Sequence, residues 1–162
     1  LFWNEERLDR LKKIGLDKSQ AMILASIVSQ ESQKKSELKT IAGVYMNRLN
    51  NNWLLQADPT VKFAAYQLPV YKNTVIRRVL FKHLKIDSKY NTYKYKGLPP
   101  GLISLPNISS IDAVLNFEKH SFFYFSADPK RIGFHSFSKN LNEHNKNAKK
   151  FHNYLDSKGI KK

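Results

Sequence analysis

Residues 21–28, Ala-Met-Ile-Leu-Ala-Ser-Ile-Val, form the longest nearly apolar run in the chain, and their periodicity leaves little freedom about the fold around them. Ile23, Leu24, Ile27 and Val28 recur at spacings of three and four, so the run reads as a helix that other elements must cover. The next position of that series is Glu31. A carboxyl group at the end of a buried stripe sits in low dielectric, which disfavours its charged form and lets it keep a proton near neutral pH. Such a group can serve as a general acid. The alternative is an ordinary helix-end glutamate that turns to solvent or pairs with Lys34 or Lys35.

At eight residues the run is too short to cross a bilayer. A length of 162 residues suits one domain with a real core, and 41% hydrophobic content with 12% aromatics argues for a folded globule. The absence of cysteine excludes disulfides and thiolate metal sites. The chain opens on Leu1 instead of methionine, so the expectation is a single domain, residues 1–162, cut from a longer protein whose anchor or targeting segment is missing.

The formal charge of +15 is unevenly placed: residues 59–100 carry nine Lys/Arg against Asp87 alone, and residues 130–162 carry nine against Glu143 and Asp156. Two basic segments attract a polyanion, which charge alone leaves open as nucleic acid, anionic lipid or an acidic cell-wall polymer. A well-solvated surface with no such partner reads equally well.

The front of the chain is expected to be helical. Asn4 caps a helix with Leu8, Leu11 and Ile14 on one face and Gly15 at its stop, and Asp17 opens the next, which runs toward Glu31. A third covers residues 36–50, and Asp58-Pro59 reads as cap plus first-turn proline for a helix over residues 61–68. A further helix is expected over 74–84. Residues 90–95 look strand-like, residues 97–101 (Gly-Leu-Pro-Pro-Gly) form a constrained turn, and Ser109 or Ser110 caps a helix through Phe117. Residues 122–127 and 134–137 pair as a hairpin, and a last helix covers 141–157. The fold class is therefore α+β: a helical N-terminal part, a small, mostly antiparallel sheet and a C-terminal helix.

Three polar clusters accompany Glu31. Residues 55–60 hold Gln56 and Asp58, the latter read as a helix cap. Residues 90–101 hold Tyr90, Asn91, Tyr93 and Pro100, suited to a groove wall. Residues 135–145 hold His135, Ser136, Asn140, His144 and Asn145 at a strand-to-helix junction. The last cluster permits a metal-dependent nuclease built on His135, Asn140 and His144, although His144 and His152 are eight apart and no histidine pair has the i, i+4 spacing of a helical zinc site. No glycine-rich phosphate loop or G-x-S-x-G element is present.

Taken in order, Ala25-Ser26-Ile27-Val28 with Glu31, Val44-Tyr45-Met46-Asn47-Arg48-Leu49, and Leu55-Gln56-Ala57-Asp58-Pro59-Thr60-Val61 resemble the endolytic murein transglycosylase family, also called YceG-like or MltG. Tyr90-Asn91-Thr92-Tyr93 with Gly97-Leu98-Pro99-Pro100-Gly101, and His135-Ser136-Phe137 with Asn140-Leu141 and His144-Asn145-Lys146, complete the pattern. Ser29 stands where the family has an acid, Ser32 where it has threonine, and residues 66–89 match poorly. The resemblance implies a bacterial enzyme that cuts peptidoglycan glycan strands internally, with Glu31 as the catalytic group. Gln56, Asp58, Tyr90, Asn91, Tyr93, Pro100, His135, Ser136, Asn140, His144 and Asn145 would contact the sugar.

The resemblance also implies no metal or other cofactor, no nucleic acid, peptidoglycan strands as substrate and the cell-wall synthesis machinery as partner. It places the site on the extracytoplasmic (periplasmic) face of the inner membrane, held by an N-terminal segment outside this chain. One glutamate suffices for the implied chemistry, acting first as acid and then as base, whereas hydrolysis conventionally needs two carboxylates. A noncatalytic peptidoglycan-binding module is the remaining alternative.

Overall fold

The computed structural model describes residues 2–159, which form seven α-helices and one two-stranded sheet. Helix α1 (Glu5–Ile14) begins where the Asn4 side chain accepts from the Arg7 N–H at 3.0 Å, and ends at Gly15, whose φ of 71° lies in the left-handed region that closes helices. Helix α2 (Lys18–Glu31) starts with a reciprocal capping box between Asp17 and Gln20. Ala21, Leu24, Ala25, Ile27 and Val28 are fully buried. Helices α1 (Glu5–Ile14), α3 (Leu38–Asn50), α4 (Asp58–Tyr66) and α6 (Ile108–Leu115) enclose this part of the fold, with α3, α4 and α6 packed directly on α2. Full burial of each Leu, Ile or Val side chain contributes about 1.5–3 kcal/mol, so this central helix organises the core.

Helix α3 follows a 3-10 turn, Lys35–Glu37, and ends with Arg48 buried. Arg48 Nε donates to the Phe123 carbonyl at 2.8 Å and a terminal nitrogen donates to that of Leu55 at 2.7 Å, tying two distant loops to the helix. At Gly43 a Cβ would fall 2.3 Å from the Glu118 carbonyl oxygen, so only glycine admits the strand-side chain at this distance. Strands β1 (Tyr124–Ala127) and β2 (His135–Ser138) pair antiparallel with Tyr124 opposite Ser138 and Ala127 opposite His135. Helix α7 (Leu141–Ser157) packs on this hairpin. The α+β expectation, with helices first and an antiparallel sheet before the last helix, is what the structure has.

Four local expectations are corrected. Residues 90–95 are not a strand: the buried Asn91 folds them into turns, its side-chain amide donating to the Leu84 and Ile86 carbonyls at 2.9 and 2.8 Å while its oxygen accepts from the Tyr93 N–H at 3.0 Å. Of residues 74–84 only α5 (Phe81–Leu84) is helical, preceded by a 3-10 turn at Pro69–Tyr71. The β-branched run Thr74-Val75-Ile76 resists helix, and its backbone finds another partner when the Ile76 N–H donates to the Tyr66 hydroxyl at 2.9 Å. Asn107, not Ser109 or Ser110, caps α6 by accepting from the Ser110 N–H at 2.8 Å. Asp58 is the first residue of α4 and makes no capping bond. The start of α4 is instead stitched by Thr60 and Thr92, whose hydroxyls lie 2.8 Å apart while the Ala57 N–H donates to Thr92 Oγ1 at 2.9 Å.

Asn91→Ala would strand two part-buried carbonyls and release the turn that carries Tyr93. A loss of about 2–4 kcal/mol in denaturant unfolding is expected, against less than about 0.5 kcal/mol for Asp58→Asn, which removes no cap.

Candidate active site

Glu31 lies half-buried at the C-terminal end of α2, where the apolar stripe runs out of the core. The Tyr45 hydroxyl, projecting from α3, donates a short hydrogen bond to Glu31 Oε1. Removal from water pushes the Glu31 carboxyl up to about 7. The Tyr45 bond opposes that rise, the Asp58 carboxylate adds to it, and the Lys62 and Arg48 cations work against it. Burial and the same carboxylate push the Tyr45 hydroxyl well above the usual phenol range, so it remains a donor.

Two cavities meet at this residue. The larger, about 450 Å³, is lined among others by Arg48, Gln56, Tyr93, Tyr124, Phe125 and His144. The smaller, about 310 Å³, is lined by Gln30, Pro59, Lys62, Phe63, Tyr66 and Ile103. Glu31 and Asp58 are the two residues common to both, so the carboxyl groups mark the waist between them. Asp58 accepts from the Tyr93 hydroxyl at 2.6 Å. Burial and Asp58 together push the Tyr93 phenol up.

Of the residues singled out in the sequence, Gln56, Asp58, Tyr93, His135 and His144 line the larger cavity with Glu31. Gln56 does so from a backbone φ of 50°, uncommon for a residue with a side chain and costing on the order of 1 kcal/mol. His135 is oriented by Glu37, which accepts from the His135 N–H at 2.8 Å and pairs with Nδ1 at 3.0 Å, leaving Nε2 for the cavity. His144 stacks on Tyr124 with ring centroids 5.1 Å apart, and burial pushes its imidazole down, toward the neutral form.

The other six stand apart. Tyr90 backs the wall by packing on Phe63 at 4.7 Å. Asn91 is spent on the turn described above. Asn140 caps α7 by accepting from the Glu143 N–H at 2.9 Å. Pro100, Ser136 and Asn145 line neither cavity. His135, Asn140 and His144 are thus engaged separately, and among the described residues no three His, Cys, Asp or Glu side chains converge as metal ligands.

Tyr45, Arg48, Tyr124, Phe125, Ser126, Lys62 and Phe63 join the site without having been singled out for it. Tyr45 reads as core in the α3 periodicity, and the arginine three residues later, the one charged side chain among the buried residues of that helix, is the signal that this face meets polar groups. Ser126 Oγ and His144 Nδ1 are buried without a hydrogen-bond partner in this same wall. Orphaned polar atoms beside aromatic faces suit a polar ligand such as a sugar, whose hydroxyls pair with the former while its ring stacks on the latter.

The model of the YceG-like family matches residues 2–150. An endolytic murein transglycosylase of Bacillus subtilis (strain 168) is 40% identical over 151 residues, 93% of this chain and 39% of the relative. Another, from Streptococcus pneumoniae serotype 2 (strain D39 / NCTC 7466), is 32% identical over 138 residues, 85% of this chain and 24% of the relative. The crystal structure of a protein described as yceG-like from Listeria monocytogenes matches with a TM-score of 0.74 at 39% identity, covering 86% of this chain and 43% of that one. The chain spans less than half the length of each of these relatives.

The raised Glu31 value has a measurable consequence for stability. Between its ordinary 4.5 and about 7 the folded protein holds a proton that the unfolded chain has released, so stability falls as pH rises through that window. Glu31→Gln removes the penalty, and the variant should be more stable than wild type at pH 8, by at most about 3 kcal/mol, and equal to it near pH 4. Tyr45→Phe deletes a bond that favours the carboxylate, so the Glu31 titration, followed by NMR of the labelled carboxyl, should move to higher pH.

Proposed function

The chain belongs to the YceG-like family, and from that footing we propose that it is the catalytic part of an endolytic peptidoglycan lytic transglycosylase. The observation that carries the reading is Glu31: one carboxyl group, raised to about 7, at the waist of a groove with aromatic walls. Protonated Glu31 gives its proton to the glycosidic oxygen between N-acetylmuramic acid and N-acetylglucosamine, and the bond from that oxygen to the muramic C1 breaks. The carboxylate so formed takes the proton of the muramic C6 hydroxyl, whose oxygen closes on C1 to leave a 1,6-anhydro ring. Glu31 ends protonated and no water is consumed.

A value near 7 leaves both protonation states populated at neutral pH, as a group used in both directions requires. The groove supplies position: Tyr93, Tyr124 and Phe125 offer ring faces, and Gln56, Ser126, His135 and His144 offer polar atoms to hydroxyl and acetamido groups. The basic segments favour an anionic wall polymer whose stem peptides carry carboxylates. Such a substrate lies on the extracytoplasmic face of the bacterial inner membrane. No helix of the described residues is long and apolar enough to cross a membrane. The cell-wall synthesis machinery is the partner that supplies the strands.

A second reading rests on Asp58. Because it faces the groove and makes no capping bond, Asp58 offers the second carboxylate that hydrolysis conventionally uses, and water would then replace the C6 hydroxyl. Digestion of purified strands in heavy-oxygen water separates the two. Transglycosylation gives fragments ending in 1,6-anhydro-N-acetylmuramic acid, one water lighter than hydrolysis products and free of solvent oxygen. Reducing ends that carry the isotope would establish hydrolysis instead.

Glu31→Gln should lower cleavage by at least about 10³-fold with the fold retained, as judged by melting of the same preparation. Near-wild-type cleavage would remove Glu31 from the mechanism. Activity should persist after exhaustive chelation; a loss restored by one divalent ion would count for the metal-dependent alternative. The rate should fall above about pH 7 as Glu31 gives up its proton.

A further inference from the structure

A third cavity, about 500 Å³, opens at Glu31 and shares Ala127 and His135 with the larger groove cavity, whereas Glu31 alone joins it to the smaller one. It runs between the segment after α2, the β1–β2 turn and the end of α7. Its walls are mostly apolar, with Ile132, Phe134, Phe151 and Leu155 contributing. Lys34 is the cation on its rim: Nζ lies 4.9 Å from the centroid of the Phe134 ring, and no carboxylate pairs with it among the described residues. Asp128, an acid of this cavity beside Glu31 itself, is occupied by Arg131 Nε at 3.0 Å and the Lys130 N–H at 2.9 Å. Gly133, at φ 82°, carries the turn past Lys34, where a Cβ would fall 3.1 Å from Lys34 Cε.

A glycan strand is linear, and the two cavities that meet at the Glu31–Asp58 waist are enough to hold it on either side of the bond to be cut. A third opening at the same carboxyl group suits a branch that leaves the sugar next to that bond. In peptidoglycan this sugar is muramic acid, whose lactyl ether carries a short peptide with methyl side groups and free carboxylates. We propose that the side cavity bounded by Lys34, Ile132, Phe134, Phe151 and Leu155 binds this stem peptide, its apolar walls taking the lactyl and alanyl methyl groups and Lys34 a peptide carboxylate. The assignment rests on the function proposed above. Because Ala127 and His135 are shared with the larger cavity, it also fixes the strand's direction: muramic acid occupies the larger cavity and the departing N-acetylglucosamine the smaller.

The test compares kcat/KM for peptide-bearing glycan strands with that for the same strands stripped by an amidase. Wild type should prefer the peptide-bearing strand by about tenfold or more, the scale of a few buried methyl groups with a charge pair. Ile132→Trp, at a side chain 69% exposed and so without risk to the core, fills the cavity, and Lys34→Ala removes the cation. Each should bring the ratio toward one, with melting unchanged. Equal rates for the two strands in wild type, or a preference that survives both substitutions, would overturn the stem-peptide site and leave the cleavage reading standing. Failure of wild type to cut either strand would remove both readings.

Discussion

The burial of α2 governs the molecule. A helix whose residues from Ala21 to Val28 are all buried except the partly exposed Met22 has to be walled in by other elements, and α3, α4 and α6 supply those walls from three separate parts of the sequence. Where the enclosing elements end, the helix also ends, and its last residue is Glu31. The carboxyl group raised by burial therefore sits at the end of the buried central helix. For the proton transfer proposed above that placement matters, because a donor misplaced by an ångström loses orders of magnitude in rate.

Elements whose signals are local were legible in the sequence. Asn4, Asp17 and Gly15 act on backbone groups within four residues, and the α2 and α3 stripes need only a core of some kind to bury them. Two of the failures share one cause, a side-chain partner that outcompetes a local preference. Aromatic and β-branched residues at 90–95 have strand character, yet Asn91 supplies in one side chain the hydrogen bonds that a neighbouring strand would have supplied. At Asp58-Pro59 the cap signature is present but Thr60 and Thr92 already do the stitching, which frees the carboxylate for the groove. At the start of α6 the two serines expected as caps instead donate to Asn107, whose Oδ1 also accepts from the Ser110 N–H.

The site was half legible for a related reason. A glutamate at the end of an apolar stripe is conspicuous in any sequence. A tyrosine or phenylalanine on such a stripe is not, because it serves as core and as groove wall with the same atoms. Tyr45 is fully buried and also bonded to Glu31, while Phe125 packs on Tyr45 at 6.0 Å and lines the larger cavity. Arg48 likewise holds the loops around Phe123 and Leu55 while its charge faces Glu31. Asn140 shows the converse, a polar residue in a dense polar cluster that is spent on capping a helix.

The electrostatic balance at Glu31 follows from these double duties. Burial is the largest influence on the Glu31 carboxyl and raises it. Tyr45, Arg48 and Lys62 pull it back down, and Asp58 pushes it up, so that the net effect is about 7. Each of the four is placed by a different structural requirement: Tyr45 by the core, Arg48 by the loops it ties, Asp58 by the start of α4 and Lys62 one turn further along the same helix. A group that must give a proton before bond cleavage and take one after it needs both states within reach at one pH. In the proposed reaction Glu31 has both within reach, through the opposition of burial and bonding around one oxygen.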